Sequence, residues 1–172
     1  ILNVARQEPQ KSIHELVDAV SLVADRHDNV VLLQAGRSGT GTPAIEDAVA
    51  RCRTAPVRLL GQRSDIGDLL AASDLFAFSS HWEGQGGAVL EAMAASRPVV
   101  GFDVDGVGET LTDGVDGRLV PAGDWRAMAQ AAKEVLQSPD RGRGLGRAGR
   151  KRVRESFTAE KTVDGVLAVI DR

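Results

Sequence analysis

The chain has 172 residues, of which 42% are hydrophobic, enough to bury one core of ordinary domain size. Its formal charge of −3 argues against a general nucleic-acid binder, whose surface is normally basic. A single cysteine, Cys52, permits no intramolecular disulfide, and no leader peptide or membrane-length apolar run is legible, so the expected setting is reducing and cytoplasmic.

Six short apolar runs, each bounded by Gly, Pro or Asp, read as buried strands: residues 1–5, 29–35, 56–60, 75–79, 98–102 and 117–121. Amphipathic stretches separate them. Residues 12–26 repeat Ile13, Leu16, Val17, Val20 and Val23 at helical period, and 44–54, 65–72, 87–96 and 124–137 are rich in Ala and Leu. Strict alternation of strand and helix predicts a doubly wound α/β fold, a parallel sheet with helices on both faces, because parallel neighbours need long crossovers. The last third, 124–172, reads as two or three helices packing back on that sheet. One domain spans 1–172.

In open α/β sheets ligands sit beyond the carboxyl ends of the strands, so the loops leaving the strands are the places to search. Strand 75–79 runs into "SHWEGQGG", and a helix begins near Gly86 or Gly87. Free amides at that helix start favour an anion, and Gly84, Gly86 and Gly87 let the backbone approach it closely. Glu83, in the loop, can accept hydrogen bonds from sugar hydroxyls. Glu91 lies four residues after Gly87 and can chelate a vicinal diol with its two carboxylate oxygens. Two carboxylates beside an anion call for cations, and the loop after strand 1–5 supplies Arg6 and Lys11 as a diphosphate clamp.

Together these segments resemble the C-terminal, donor-binding domain of retaining glycosyltransferases of the GT-B fold, glycosyltransferase family 4 (glycosyl transferases group 1). The resemblance runs from "ILNVARQEPQKSIHELVDA" through "LLGQRSDIGDLLAASDLF" and "SSHWEGQGGAVLEAMAASRPVVGFDVDGVGETLTDGVDGRLVPAGD" to "RVRESF". It implies a Rossmann-like sheet and a nucleotide-diphosphate sugar, UDP- or GDP-linked, as donor. It assigns Arg6 and Lys11 to the diphosphate, the amides of the Gly84–Gly87 turn to phosphate and sugar, Glu83 to the transferred sugar and Glu91 to the ribose. The loop from Gly61 through Arg63 to Asp65 would line the nucleobase, largely with backbone groups. Catalysis then falls to Glu83, Arg6 and Lys11, with no metal and no other cofactor. The rival readings are a nucleotide-sugar epimerase of related fold and a non-catalytic nucleotide-binding module.

Where the chain departs from the family pattern, Gln85 replaces an aromatic, Gly87 a larger apolar residue, Ser96 a glycine and Gly108 a proline. A polar Gln85 could contact a sugar substituent such as an acetamido group. The Asp103/Asp105 pair in "FDVDG" has the form of a metal-binding Asp-x-Asp motif, but it falls where the family has a glycine-rich turn and is read as coincidence. His14, His27 and His81 lack ligand spacing, and only His81 is expected to face the site. Cys52 reads as a small buried hydrophobe in a helix. The run 141–154 holds seven basic residues; its glycines are expected to interrupt helix early, and its remainder reads as a solvated face open to peripheral membrane contact at the inner face. The acceptor-binding N-terminal domain implied by the family would be a further partner, and the present domain alone is expected to bind donor without efficient transfer.

Overall fold

The computed structural model describes residues 1–25 and 29–161. The end of the helix read over 12–26, His27 and the stretch from 162 onward lie outside those residues. Six parallel strands form one sheet: β1 (Leu2–Val4), β2 (Leu32–Ala35), β3 (Val57–Gly61), β4 (Phe76–Phe78), β5 (Val99–Asp103) and β6 (Arg118–Pro121). Their spatial order is β3-β2-β1-β4-β5-β6, so the chain winds outward from β1 in one direction, then returns to β4 and winds the other way. Right-handed crossovers set the helices that follow β1 and β2 on one face of the sheet and those that follow β3, β4 and β5 on the other.

On one face lie α1 (Ile13–Ala24), α2 (Thr42–Arg51) and α6 (Trp125–Gln137), with α1 packed between the other two. The apolar period read in α1 is its buried stripe: Ile13, Leu16, Val17, Val20 and Val23 are all at most 1% exposed. The other face carries α3 (Ile66–Ala72), α4 (Gly87–Ala94), the single-turn α5 (Val107–Thr110) and α7 (Pro139–Ser156), with α7 against α4. Between these layers Phe76, Phe102, Met93 and Met128 fill the core. The doubly wound architecture and the C-terminal helices packing back on it are as the sequence predicts.

Three local expectations are corrected. Helix 44–54 starts earlier, at Thr42, where Pro43 fits the first turn, and stops at Arg51. Cys52 therefore sits beyond the helix in extended backbone, half-buried, with its thiol 3.5 Å from the Ala55 carbonyl oxygen. The larger correction is α7. Glycines normally weaken a helix interior, yet α7 runs unbroken through Gly142, Gly144, Gly146 and Gly149. Three of these are buried because they are the contact surface: a Cβ at Gly146 would stand 2.1 Å from the Ser96 carbonyl oxygen, and one at Gly149 would press on Met93 and the Asp116 carbonyl. Helix propensity is given up so that the α7 backbone can lie against the turn that enters β5.

That turn is itself strained. Ser96 adopts φ 58°, the left-handed region, directly after α4. A Cβ there is disfavoured by about 1 kcal/mol relative to glycine. Ser96→Gly should therefore stabilise the fold by about 1 kcal/mol, raising Tm by about 2–4 °C in a calorimetric scan; an unchanged or lowered Tm would count against this account of the turn.

Candidate functional site

The winding direction reverses between β1 and β4, and the loops leaving those two strands meet in the crevice that this reversal creates. Lys11 ends a short 3-10 turn (Pro9–Lys11), and its ammonium is in direct contact with the Glu83 carboxylate from the β4 loop. Their side chains are 14% and 16% exposed, so the pair is mostly covered but still reached by solvent. The Ser80 hydroxyl donates to Glu83 Oε1 at 2.9 Å, and the Ser79 hydroxyl donates to the Lys11 carbonyl at 2.7 Å. A backbone bond from the His81 amide to the Gln10 carbonyl, 2.9 Å, completes the clasp between the loops. His81 turns its imidazole to Glu15, 3.2 Å away, and packs on Phe102 with ring centroids 5.7 Å apart, so its ring braces the loop against α1 and β5.

The glycine turn follows at once. Gly86 caps α4 in the left-handed region, φ 69°, and leaves the Gly87 and Ala88 amides at the helix start without intrahelical acceptors. Its shape is set from behind by α5. A Cβ on Gly106 would lie 2.1 Å from the Gly84 carbonyl oxygen, so only glycine permits that approach. The Thr110 hydroxyl sits 3.2 Å from the Gln85 carbonyl and 2.9 Å from that of Gly106. Gly84, Gln85 and Gly87 are exposed, as a surface that receives a ligand must be. Glu91 stands with Gly87 on the exposed face of α4, and among the described residues its carboxylate is free of hydrogen bonds and ion pairs, while Val89, Ala92 and Met93 face the core.

Arg6, the other predicted cation, lies on the opposite side of this crevice from the glycine turn, in the β1–β2–β3 half. It borders a cleft of about 290 Å³ with Gly36, Arg37, Gln62 and Arg63, floored by Val4, Ala35 and Ile66. Gly61, at φ 67°, turns the chain out of β3 into this rim, and its carbonyl accepts from the Gly36 amide at 2.8 Å. Asp65 begins α3, but its side chain turns from the helix to Arg63 in a two-point fork, Nε–Oδ1 2.8 Å and Nη2–Oδ2 2.5 Å. The hydrogen bond from Arg63 holds the Asp65 carboxyl below its usual pKa, and the same bond raises Arg63. The structure thus gathers Lys11 and Glu83 into one contact, Arg6 and Arg63 around one cleft, and leaves Glu91 separate on α4.

Several contributors escape sequence reading. Gln7 and Gln34 are buried at 2% and 0% exposure and bond to each other at 2.8 Å; Gln34 also donates to the Ala5 carbonyl, and the Thr42 hydroxyl donates to Gln7 Oε1 at 2.7 Å. This network fixes the backbone on either side of Arg6. The available signal was a pair of amides inside otherwise apolar strand ends, where unpaired polar groups are not tolerated. Trp82, 61% exposed beside Glu83, is the most exposed large apolar side chain among the described residues. Asp103 is exposed at the end of β5, and among the described residues no group of three or more His, Cys, Asp or Glu could hold a metal ion. Among those residues, too, no helix is long and apolar enough to cross a membrane.

A family model described as glycosyl transferases group 1 matches residues 1–138. The chain is 30% identical over 158 residues to the capsular polysaccharide biosynthesis glycosyltransferase CapM of Staphylococcus aureus, covering 91% of this chain and 42% of that protein. It is 37% identical over 134 residues to a phosphatidyl-myo-inositol mannosyltransferase of Mycobacterium leprae, covering 76% and 35%. Among solved structures, HepE of Anabaena in complex with UDP and glucose superposes with a TM-score of 0.87 at 23% identity, over 99% of this chain and 47% of that one. The C-terminal domain of the group 1 protein LpcC of Francisella tularensis superposes at 0.81 with 18% identity, over 92% and 86%. The chain thus spans less than half the length of those curated relatives.

The site rests on one close approach: a Cβ at Gly36 would stand 1.8 Å from the Ala5 carbonyl oxygen, next to Arg6. Gly36→Ala should cost about 2–3 kcal/mol in urea unfolding; a loss within experimental error would show that the β1 and β2 loops are not packed as described.

Proposed function

The chain belongs to the glycosyl transferases group 1 family, and from that membership we propose that it is the donor half of an enzyme that moves a sugar from a nucleotide-diphosphate sugar to an acceptor. The observation that carries the reading is the meeting of Lys11, Glu83 and the glycine-capped start of α4 in the crevice between β1 and β4. A diphosphate laid against the α4 amides would take Lys11 on one side and Arg6 on the other, since guanidinium and ammonium groups both pair strongly with phosphate. The cleft beside Arg6 has the volume and apolar floor for a nucleobase, and the unpaired Glu91 is available for ribose hydroxyls.

As the glycosidic bond to the diphosphate breaks, negative charge grows on the leaving phosphate oxygens. Cations and fixed amides at that position stabilise the transition state more than the ground state. Glu83 orients the transferred sugar, and Ser80 holds its carboxylate while Lys11 is drawn to phosphate. Retention at the anomeric carbon, metal-independent chemistry, UDP or GDP as the leaving nucleotide, an acceptor held by a second domain and a cytoplasmic setting all belong to the same reading. So does the weak transfer expected of this half alone.

The Lys11–Glu83 contact makes an uncommon prediction. Glu83 competes with phosphate for Lys11, and a partly exposed pair of this kind contributes up to about 1 kcal/mol. Glu83→Gln should therefore bind UDP or GDP equally well or up to about fivefold more tightly in isothermal titration calorimetry, while losing preference for the sugar-bearing nucleotide. Lys11→Ala should weaken both by at least about tenfold. Absence of binding by the unaltered chain to either nucleotide would overturn the proposed function, and a Glu83→Gln variant that binds neither would overturn the competition.

A further inference from the structure

A cavity of about 670 Å³ lies at the opposite end of the sheet from the crevice. Its walls include Val30, Asp74 and Pro98, residues that precede β2, β4 and β5, together with the end of α6 and the start of α7. Among the described residues, three guanidinium side chains line it, Arg97, Arg143 and Arg147, against the one carboxylate of Asp74.

These arginines are brought together by the fold. The glycine contact between Gly146 and the Ser96 carbonyl clamps α7 to the turn that carries Arg97. Arg143 and Arg147 flank Gly146 on the helix, so the clamp delivers both to the neighbourhood of Arg97. Arg97 is held still: its Nη1 donates to the Ser73 carbonyl at 2.8 Å and its Nε lies 3.3 Å from that of Ala95. Carbonyls orient the guanidinium without cancelling its charge, and among the described residues Arg97 has no carboxylate partner. Arg147 has no hydrogen bond or ion pair among those residues. Arg143 pairs with Asp140 at 2.7 Å, but both side chains are largely solvated, at 63% and 99% exposure, so the pair is screened and readily exchanged.

Positioned like charges with spare donors favour a ligand that brings two negative charges and several acceptor oxygens. Beside the polar Asn29 and Ser96, the lining includes Pro98, Val135 and Leu136, which offer an apolar surface for a compact body attached to that anion. We propose that this cavity is a second ligand site, distinct from the donor crevice, that takes a phosphate monoester or phosphodiester group through Arg97, Arg143 and Arg147. Two sources share that chemistry: a free phosphorylated metabolite, and a phospholipid headgroup. Arg150, Lys151 and Arg154 continue the exposed face of α7 away from the cavity, at helical spacing from Arg147. A lipid surface would add contacts to those residues, whereas a free metabolite would engage the cavity alone.

The test titrates the chain with inorganic phosphate and with glucose 6-phosphate by calorimetry, and separately floats it with phosphatidylglycerol-containing and pure phosphatidylcholine vesicles. The variants are Arg143→Glu/Arg147→Glu for the cavity and Arg150→Gln/Lys151→Gln/Arg154→Gln for the stripe beyond it. Saturable binding of either soluble probe, weakened about tenfold or more by the cavity variant and not by the stripe variant, supports a free phosphorylated ligand. Flotation restricted to anionic vesicles and lost in the cavity variant supports a headgroup. Flotation lost only in the stripe variant overturns the proposal, as does the absence of binding to every probe. UDP or GDP titration of the cavity variant, expected to match the unaltered chain, shows that any loss is not a loss of fold and is independent of the donor crevice.

Discussion

The clasp between the β1 and β4 loops is the constraint from which the site follows. Strands β1 and β4 are neighbours in the sheet but far apart in sequence, and their carboxyl-terminal loops have no other obligation to meet. Three kinds of bond bring them together: an ion pair from Lys11 to Glu83, a hydroxyl from Ser79 to the Lys11 carbonyl, and an amide from His81 to the Gln10 carbonyl. The two backbone-directed bonds are independent of protonation and of ligand. They hold the loops in register without the ion pair, so that its two members can part while the loops stay together. Structural cohesion and chemical readiness are thereby assigned to different atoms of the same residues.

Behind the clasp, polar groups are buried where an apolar core would be expected. Gln34 lies near the end of an otherwise hydrophobic strand, and its side chain donates to the Ala5 carbonyl and to that of Ala35, which also accepts from the Ala5 amide. Gln7 passes the network on to Thr42 at the start of α2. Such a fully bonded set costs little in stability, whereas removal of a single member would strand a buried donor or acceptor. Its consequence is that Arg6 projects from backbone fixed on both sides. On the far side of the crevice the same office is performed by backbone shape, with Gly106 allowing α5 to press against Gly84 and Thr110 bonding the Gln85 carbonyl.

The fold was legible because alternation of apolar strand and amphipathic helix leaves few topologies, and right-handed crossovers remove most of those. Lys11, Glu83 and the glycine turn were legible because they stand on loops at the strand ends. What escaped was pairwise. Nothing in the spacing of Lys11 and Glu83 says that they touch, since that depends on β1 and β4 being adjacent. The glycines of α7 were misread as helix breakers because propensity is a local property, and their reason lies in Ser96, on a different element. Gln7 and Gln34 escaped for a related reason: an amide in an apolar stretch announces that it needs a partner, but not which one. The helix α5 is a single turn, too short to display a period, although it sets the glycine loop.

The distribution of charge ties the two ends of the sheet together. The chain carries a net charge of −3, yet arginines collect in two places, around the cleft bordered by Arg6, Arg37 and Arg63 and around the cavity of Arg97, Arg143 and Arg147. In the cleft, Asp65 neutralises Arg63 and keeps its own proton off below the usual carboxylate range, so that pair persists at neutral pH and is lost only as the pH falls through the depressed Asp65 value. At the far cavity no carboxylate among the described residues performs that service for Arg97 or Arg147. Two arginines near α7 are compensated: Arg118 bridges Asp113 and Glu134, and Arg152 reaches Asp116. The two ends of the sheet therefore hold guanidiniums in different states: Arg63 is committed to Asp65, whereas Arg97, held by carbonyl oxygens alone, and Arg147 keep an uncompensated charge among the described residues.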